Sequence, residues 1–307
     1  MSLSEITISD KSLSVDVIEA CTEFTIDLQT SGQTQITMTF ADPGFKMLAA
    51  NIFQRKQLFK WNDLWCEIAV VETGDNPKPN GIKVQARSYG VQRFKRNKDA
   101  LVRSNISPSE WLAAEASLLG IGAVVYAQPC AKRSQIARVN TTNQQQSTWD
   151  VMTTMAGELG YEFFECANAF YFGQPSWLIQ ASTKWTITWP SSDDDPNNPS
   201  VISVPACRSS ENAKSAATVT LVVDHEFGRL MRPGHPVAFS GVPQFEGTYM
   251  ISGVSWDELH PNQPVTVQMT TPIDPEKKGA TPAREFTESD GPAMLINGTA
   301  LAAWSTA

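Results

Sequence analysis

Ser147-Thr148-Trp149-Asp150-Val151-Met152 begins a stretch that ends at Gly160 and runs on into Tyr161-Glu162-Phe163-Phe164. Ser147 is an N-cap with Asp150 three residues on. Trp149, Met152, Met155, Ala156 and Leu159 recur at helical spacing, and Gly160 supplies a stop. An apolar strand, Tyr161 to Phe164, follows. The turn Cys166-Ala167-Asn168-Ala169 then leads to Phe170-Tyr171-Phe172, which predicts a hairpin. The same scheme has already occurred upstream. Ser107-Pro108-Ser109-Glu110 offers a cap, a proline at the first helical position and a capping-box glutamate. Trp111, Leu112, Glu115, Leu118 and Leu119 come next, then Gly120 and an apolar strand from Ile121 to Tyr126. Cap-to-glycine intervals are equal and each unit has a tryptophan in its first turn. The pattern reads as a duplicated helix-turn-strand unit.

Outward from this unit the period changes from helical to two. On the N-terminal side Glu23 to Leu28 and Gln35 to Phe40 alternate polar and apolar around a Ser31-Gly32 turn, a hairpin signal. Trp65 to Val71 and Ile82 to Ser88 are further strands, separated by the loop residues Gly74 to Gly81. On the C-terminal side Trp185 to Trp189, Thr218 to Val223, Pro236 to Phe239, Thr248 to Val254 and Val265 to Thr270 read as strands, with a long polar loop from Ser191 to Ser200. Pro272 to about Gly291 reads as a linker. The apolar end, Ala293 to Ala307, is expected either to pack back on its own chain or to dock a partner. The expected fold is mainly β with an α+β insert. Residues 1–100 form a first barrel-like domain, 101–180 the duplicated unit, 181–272 a second barrel-like domain, and 273–307 a linker with an apolar docking segment.

The composition narrows the function. Of 307 residues 41% are hydrophobic and only 18% charged, and 24 basic against 32 acidic side chains leave a formal charge of -8. Few charges on a large chain suit extensive permanent interfaces. Net acidity argues against a protein whose main task is gripping nucleic-acid phosphate. No stretch approaches the ~20 apolar residues of a membrane span. Met1 to Glu5 has neither a basic n-region nor an apolar h-region, so no signal peptide is expected. Cys21, Cys66, Cys130, Cys166 and Cys207 are odd in number and widely spaced, which predicts buried thiols rather than disulfides or a zinc ribbon.

Catalytic patterns are sparse, and no catalytic, metal or cofactor-binding residue is assigned. His225-Glu226 opens like a zincin helix, but the second histidine would fall where Arg229 stands. His225, His235 and His260 are therefore expected to be hydrogen-bonded loop residues. Carboxylate pairs that glycoside hydrolysis would need are available as Glu110 with Glu115, Glu158 with Glu162 or Glu165, and Asp257 with Glu258. Glu110 is better explained as a capping-box partner and Glu158 as a solvated helix end. Arg93-Phe94-Lys95-Arg96-Asn97-Lys98 is the one basic run, and it is expected to solvate the connection between the first barrel and the helical part.

Two regions carry a resemblance. One is Ser147 to Met152 through Gly160-Tyr161-Glu162-Phe163-Phe164-Glu165 to Phe170-Tyr171-Phe172-Gly173-Gln174-Pro175-Ser176-Trp177-Leu178. The other is Arg232-Pro233-Gly234-His235-Pro236-Val237, then Gly241 to Tyr249, then Val254-Ser255-Trp256-Asp257-Glu258. Both resemble the baseplate hub or tail-tip hub proteins of tailed bacteriophages, over roughly residues 100–272. The resemblance implies a homotrimer whose chains each give two tube-like barrels. The resulting pseudo-six-fold ring joins a hexameric tail tube, or a distal tail protein, to a three-fold central spike. It also implies passage of DNA, contact with a tape-measure protein, and a place in the virion tail after assembly in the host cytoplasm. The hub of a phage-derived injection device is the same object without a genome. Nothing after residue 272 resembles a lysozyme domain or a β-helical spike. A cell-wall hydrolase working through the paired carboxylates is the second reading.

Overall fold

The computed structural model describes residues 6–62, 64–74, 81–120, 122–142, 144–180, 184–191, 200–209, 217–274, 294–296 and 299–301. The expected loops over 75–80 and 192–199, the linker beyond 274 and the last six residues lie outside them. The N-terminal part contains Thr7–Ile8 (β1), Lys11–Ser12 (β2), Val15–Glu19 (α1), Cys21–Gln29 (β3), Gln35–Ala41 (β4), Lys46–Ala49 (α2), Leu58–Trp61 (β5), Leu64–Gly74 (β6) and Gly81–Ser88 (β7). The middle contains Tyr89–Arg96 (α3), Leu101–Ile106 (β8), Pro108–Ser117 (α4), Val124–Ala127 (β9), Arg133–Arg138 (β10), Thr148–Leu159 (α5), Glu162–Cys166 (β11), Ala169–Gly173 (β12) and Pro175–Leu178 (α6). The C-terminal part contains Trp185–Thr188 (β13), Ala206–Arg208 (β14), Thr218–Val223 (β15), His225–Gly228 (α7), Pro236–Ser240 (β16), Gly247–Asp257 (β17), Val265–Thr270 (β18), Met294–Ile296 (β19) and Thr299–Leu301 (β20).

The fold is mainly β with an α+β insert, as the period changes predict. Strand-rich segments lie on either side of the insert, and they meet in one 13-stranded sheet. The joint is the antiparallel pairing of β17 with β3, from Gly253 opposite Gln29 to Asp257 opposite Thr25. Hydrogen bonds from Thr30 N to Ser252 O at 2.9 Å and from Glu258 N to Phe24 O at 2.8 Å extend it at both ends. One hydrophobic core runs under both segments, from Phe24, Ile36 and Val84 to Leu221, Val254 and Val267. A second core belongs to the insert and centres on Trp111, Met152, Phe170 and Phe172.

Both capping boxes form. Ser107 accepts from Glu110 N while Glu110 accepts from Ser107 N, and Ser147 and Asp150 do the same, leaving fewer orphan amides at each helix start. Gly160 ends α5 in the left-handed region at φ 68°, as a helix C-cap glycine does. The tryptophans sit differently, because Trp111 stands four residues past its cap and Trp149 two. Trp111 is wholly buried, whereas Trp149 lies at a tilt against Phe163 with ring centroids 4.5 Å apart. After the helices the chain diverges too. β9 runs parallel beside β12, whereas β11 pairs, among the described residues, only with β12 in an antiparallel hairpin.

The basic run lies in the connection between the first β segment and the insert, where its four cations are exposed as expected, and residues 89–96 of that connection form helix α3. Phe94 faces inward and stacks on Phe170 at 4.5 Å, Arg96 makes a two-pronged ion pair with Glu67, and Lys95 lies over the Trp149 ring. Lys95 and Arg96 thus have partners within the chain while remaining exposed. The apolar end pairs with its own chain, Met294 opposite Tyr126 and Leu295 opposite Val125, which extends the small sheet to the order β11-β12-β9-β19-β20.

Candidate functional site

Six consecutive strands of the large sheet, in the order β15-β18-β17-β3-β4-β7, alternate between a dry and a wet face, interrupted at the bulge between Ile251 and Gly253 of β17 and at the buried Thr39 of β4. Period two puts Phe24, Ile26 and Leu28 of β3 on the dry face with Ile36 and Met38, Ile82 and Val84, Val254 and Trp256, and Val265 and Val267. The wet face is built in cross-strand rows. One row reads Thr266, Ser255, Asp27, Gln35, Arg87. The next reads Asp257, Thr25, Thr37, Gln85. Hydroxyl and amide side chains dominate, and Lys83 and Arg87 are balanced by Glu23, Asp27 and Asp257. Because the rows cross the β3–β17 joint, the wet face is continuous across both β segments. Among the described residues the path of paired strands ends in two short strands, β14 and β2.

The insert is fastened beneath this sheet by buried polar contacts. Glu165, 1% exposed, accepts hydrogen bonds from Thr34 N at 3.1 Å and Asn168 N at 2.8 Å, and Thr34 Oγ1 accepts from Ala167 N at 3.0 Å. Trp65 N donates to Asn168 Oδ1 at 3.0 Å. Burial raises the Glu165 carboxyl above the ordinary carboxylate value, against the lowering pull of these donors.

The carboxylates weighed for hydrolysis do not face one another across a substrate cleft. Glu110 is spent on its capping box. Glu115 is buried against Arg138 and Arg103, at 2.6 and 3.1 Å. Glu158 pairs with Arg133 at 2.6 Å. Glu162 is raised by burial and by Asp274, while Glu165 is sealed under Thr34. Asp257 accepts from Leu259 N at 2.9 Å and contacts His260, and Glu258 accepts the Trp256 indole N–H at 2.9 Å. A glycosidase needs two carboxyls on opposite sides of one sugar bond. The described cleft at the β3–β17 joint has one, Glu258. The hydrolase reading finds no support in these contacts.

Two histidines stand as expected, at strand ends with partners. His260 meets Asp257 at 2.7 Å, and His235 Nδ1 accepts the Trp185 indole N–H at 3.3 Å. His225 differs. It opens the short helix α7 rather than lying in a loop, and its Nε2 is buried without a hydrogen-bond partner among the described residues. No three metal-ligating side chains gather among the described residues. All five cysteines are unpaired; Cys66 and Cys166 are buried and the other three half-buried.

Burial, with the nearby Arg232 charge, lowers His235 from 6.5 to about 4. Its contact with Trp185 requires the neutral ring, so between these values the unfolded chain binds the extra proton. Stability from this site is complete above pH ~6.5 and is lost as pH falls toward ~4, by at most ~3 kcal/mol. Glu165, raised by burial, acts in the opposite sense and favours the folded state at low pH. We expect urea midpoints to fall between neutral and mildly acidic pH, and the fall to shrink in His235→Gln. An identical pH slope in that variant would assign the loss elsewhere.

No protein-family model matches the sequence, and no curated protein matches it. Solved structures do match. A tail protein from Neisseria meningitidis MC58 aligns over 90% of this chain and 98% of its own, with a TM-score of 0.58 and 10% identity. A 43 kDa tail protein of prophage MuSo2 from Shewanella oneidensis aligns over 89% and 98%, with a TM-score of 0.61 and 9% identity. The chain has the fold of phage tail proteins. The Escherichia coli c3393 protein shares this fold with a TM-score of 0.57 and 13% identity over 90% of this chain and 79% of its own. That protein is described as a component of the type VI secretion system similar in structure to the T4 bacteriophage tail proteins gp27 and gp5. The resemblance read from residues 100–272 thus extends to nearly the whole chain as a likeness of fold to tail proteins. Among the described residues no helix is long and apolar enough to cross a membrane.

Proposed function

We propose that the chain is the structural hub of a phage tail or baseplate, with no catalytic role. Three copies assemble into a ring, each giving two tube-like β domains, residues 1–100 and 181–272, with the α+β unit of 101–180 bracing them. Six such domains match a hexameric tail tube, while the three-fold symmetry of the chains matches a central spike. The carrying observation is the continuous wet face. Two β segments fused through β17 and β3 present one sheet rather than two independent surfaces, and the dry side is already filled by the chain's own core.

In the ring the wet face lines the lumen. Threonine, glutamine and serine side chains hold water, and two cations against three carboxylates offer phosphate no cluster to bind. DNA, and a tape-measure protein before it, can move past such a wall without sticking. The short end strands β14 and β2 are the edges that neighbouring copies pair, which also protects them from non-specific association. Residues 273–307 link back to the sheet of the insert through β19, and β20, at the end of that sheet, is the part offered to outer partners. The assembled protein resides in the virion tail or in the hub of a related injection device.

Light scattering after gel filtration should give three times the chain mass, unchanged on dilution, and electron microscopy of that species should show a six-lobed ring. A stable dimer, or a ring lined by any other face, overturns the reading.

A further inference from the structure

A cleft of about 280 Å³ opens where the two β segments and the insert meet. Leu28 of β3 and Trp256 of β17 line it from the joint, with Trp61 and Leu64 from the β5–β6 hairpin. Arg229, Leu230 and Arg232, which follow α7, complete the cationic side. The cleft is at the small end of the range for ligand sites, ~300–1,000 Å³. It has room for a side chain or two, not for a folded domain.

Several groups here are unfinished. Arg229 is half-buried, and among the described residues its guanidinium has no ion pair or hydrogen bond. A cation taken partly out of water without a partner favours a bound anion. Leu230 beside it is 48% exposed, and Trp61, only 3% exposed, has an indole N–H without a partner among the described residues. Arg232 donates through Nη1 to the Arg229 and Met231 carbonyls at 2.6 and 2.8 Å and lies over the Trp256 ring. That arrangement holds the charge rigidly at the aromatic wall. Glu258 is held by the Trp256 indole. Two guanidiniums against one carboxylate leave the cleft positive in a chain whose formal charge is -8.

We propose that this cleft binds a peptide segment of a partner protein through an acidic residue next to a leucine or aromatic residue. The carboxylate engages Arg229, with Arg232 adding positive field. The apolar neighbour packs on the exposed Leu230, beside the buried Trp61 and Trp256 of the wall, and removes that apolar surface from water. A lone anion would leave Leu230 exposed, and a purely apolar segment would leave Arg229 unpaired. The observed mixture selects a segment carrying both. The inference rests on the cleft alone and is independent of the tail-hub reading.

The test follows the indole N–H signals of the full-length protein, isotope-labelled at tryptophan and assigned with Trp61→Phe and Trp256→Phe, during titration with the capped dipeptide acetyl-Leu-Asp-amide. The Trp61 and Trp256 signals should move saturably. The neutral isostere acetyl-Leu-Asn-amide should bind about tenfold more weakly. Arg229→Gln should abolish that difference, Arg229→Lys should retain part of it, and neither should alter the thermal midpoint. Equal response to both peptides, or no movement of the two signals at saturating millimolar peptide, overturns the proposal. So does movement of the same signals with protein concentration alone, which would identify a second copy as the occupant.

Discussion

Replacing Glu115 with alanine should lower folding stability by ~3–5 kcal/mol, the usual consequence of leaving a buried charge without its partner. Glu115 has a side-chain exposure of 1% and Arg138 of 4%, so neither can be rescued by water. The carboxylate receives Arg138 Nη1 at 2.6 Å, Arg103 Nη2 at 3.1 Å, Asn97 Nδ2 at 3.3 Å and Thr148 Oγ1 at 3.3 Å. These donors come from β10, β8, the end of α3 and the start of α5. Arg138 Nε also donates to Asp99 O at 2.6 Å. The network therefore fastens the two-stranded sheet of β8 and β10 to three helices. A two-stranded sheet has little stability of its own, so losing Glu115 should release it locally as well as weaken the whole. Urea denaturation measures the first effect and limited proteolysis within residues 98–106 the second. The paired change Glu115→Leu with Arg138→Met should recover most of the loss, because it removes both charges together. A loss below ~1 kcal/mol would mean that the pair behaves as a surface ion pair.

Gly241→Ala should cost ~3 kcal/mol or more, from strain and overlap acting together. Gly241 follows β16 with φ at +97°, a conformation that side chains with a Cβ avoid. A Cβ there would also overlap the carbonyl oxygen of Trp189, which is backbone and cannot rotate away. Trp189 N donates to Ser240 O at 3.0 Å and Gly241 N to Glu246 Oε1 at 3.0 Å, so moving either chain breaks a hydrogen bond. Strand β13 pairs only with β16 among the described residues, so its separation is the expected structural outcome. Gly157→Ala is the control. Gly157 lies inside α5 with nothing within 4 Å of an added Cβ, and helix propensity predicts a gain of ~0.5–1 kcal/mol. Thermal unfolding of both variants tests the contrast; equal midpoints would show that the turn yields without cost.

Local rules accounted for the elements whose signals lie within a few residues. Val265 to Thr270 and Thr218 to Val223 are strands with the bounds read from alternation, and the β3–β4 hairpin pairs Ile26 with Ile36 as its turn predicts. Both capping boxes were legible because a cap needs only two side chains at fixed spacing. Helix α3 was not, because four cations among residues 93–98 hide the buried face of Phe94 and Val91. Two of its cations, Arg96 and Lys95, meet Glu67 and Trp149, distant in sequence. The same limit hid the role of Glu115. On a helix next to Glu110 it reads as half of a carboxylate pair, and only the arrival of Arg138 and Arg103 makes it a structural anchor.

By itself the sequence determined the alternation that makes each strand dry on one side, the helices and their stops, and the shortage of paired catalytic groups. These follow from periodicity and spacing along one chain. The tertiary structure alone decided that β17 lies beside β3. That single pairing fuses two β segments into one sheet, aligns their polar residues into a continuous face and encloses the arginine-lined cleft at the joint. Gly253 to Asp257 and Thr25 to Gln29 are more than two hundred residues apart. Their pairing is chosen by the core they jointly cover, because Val254 and Trp256 must enter the same dry face as Leu28 and Ile26.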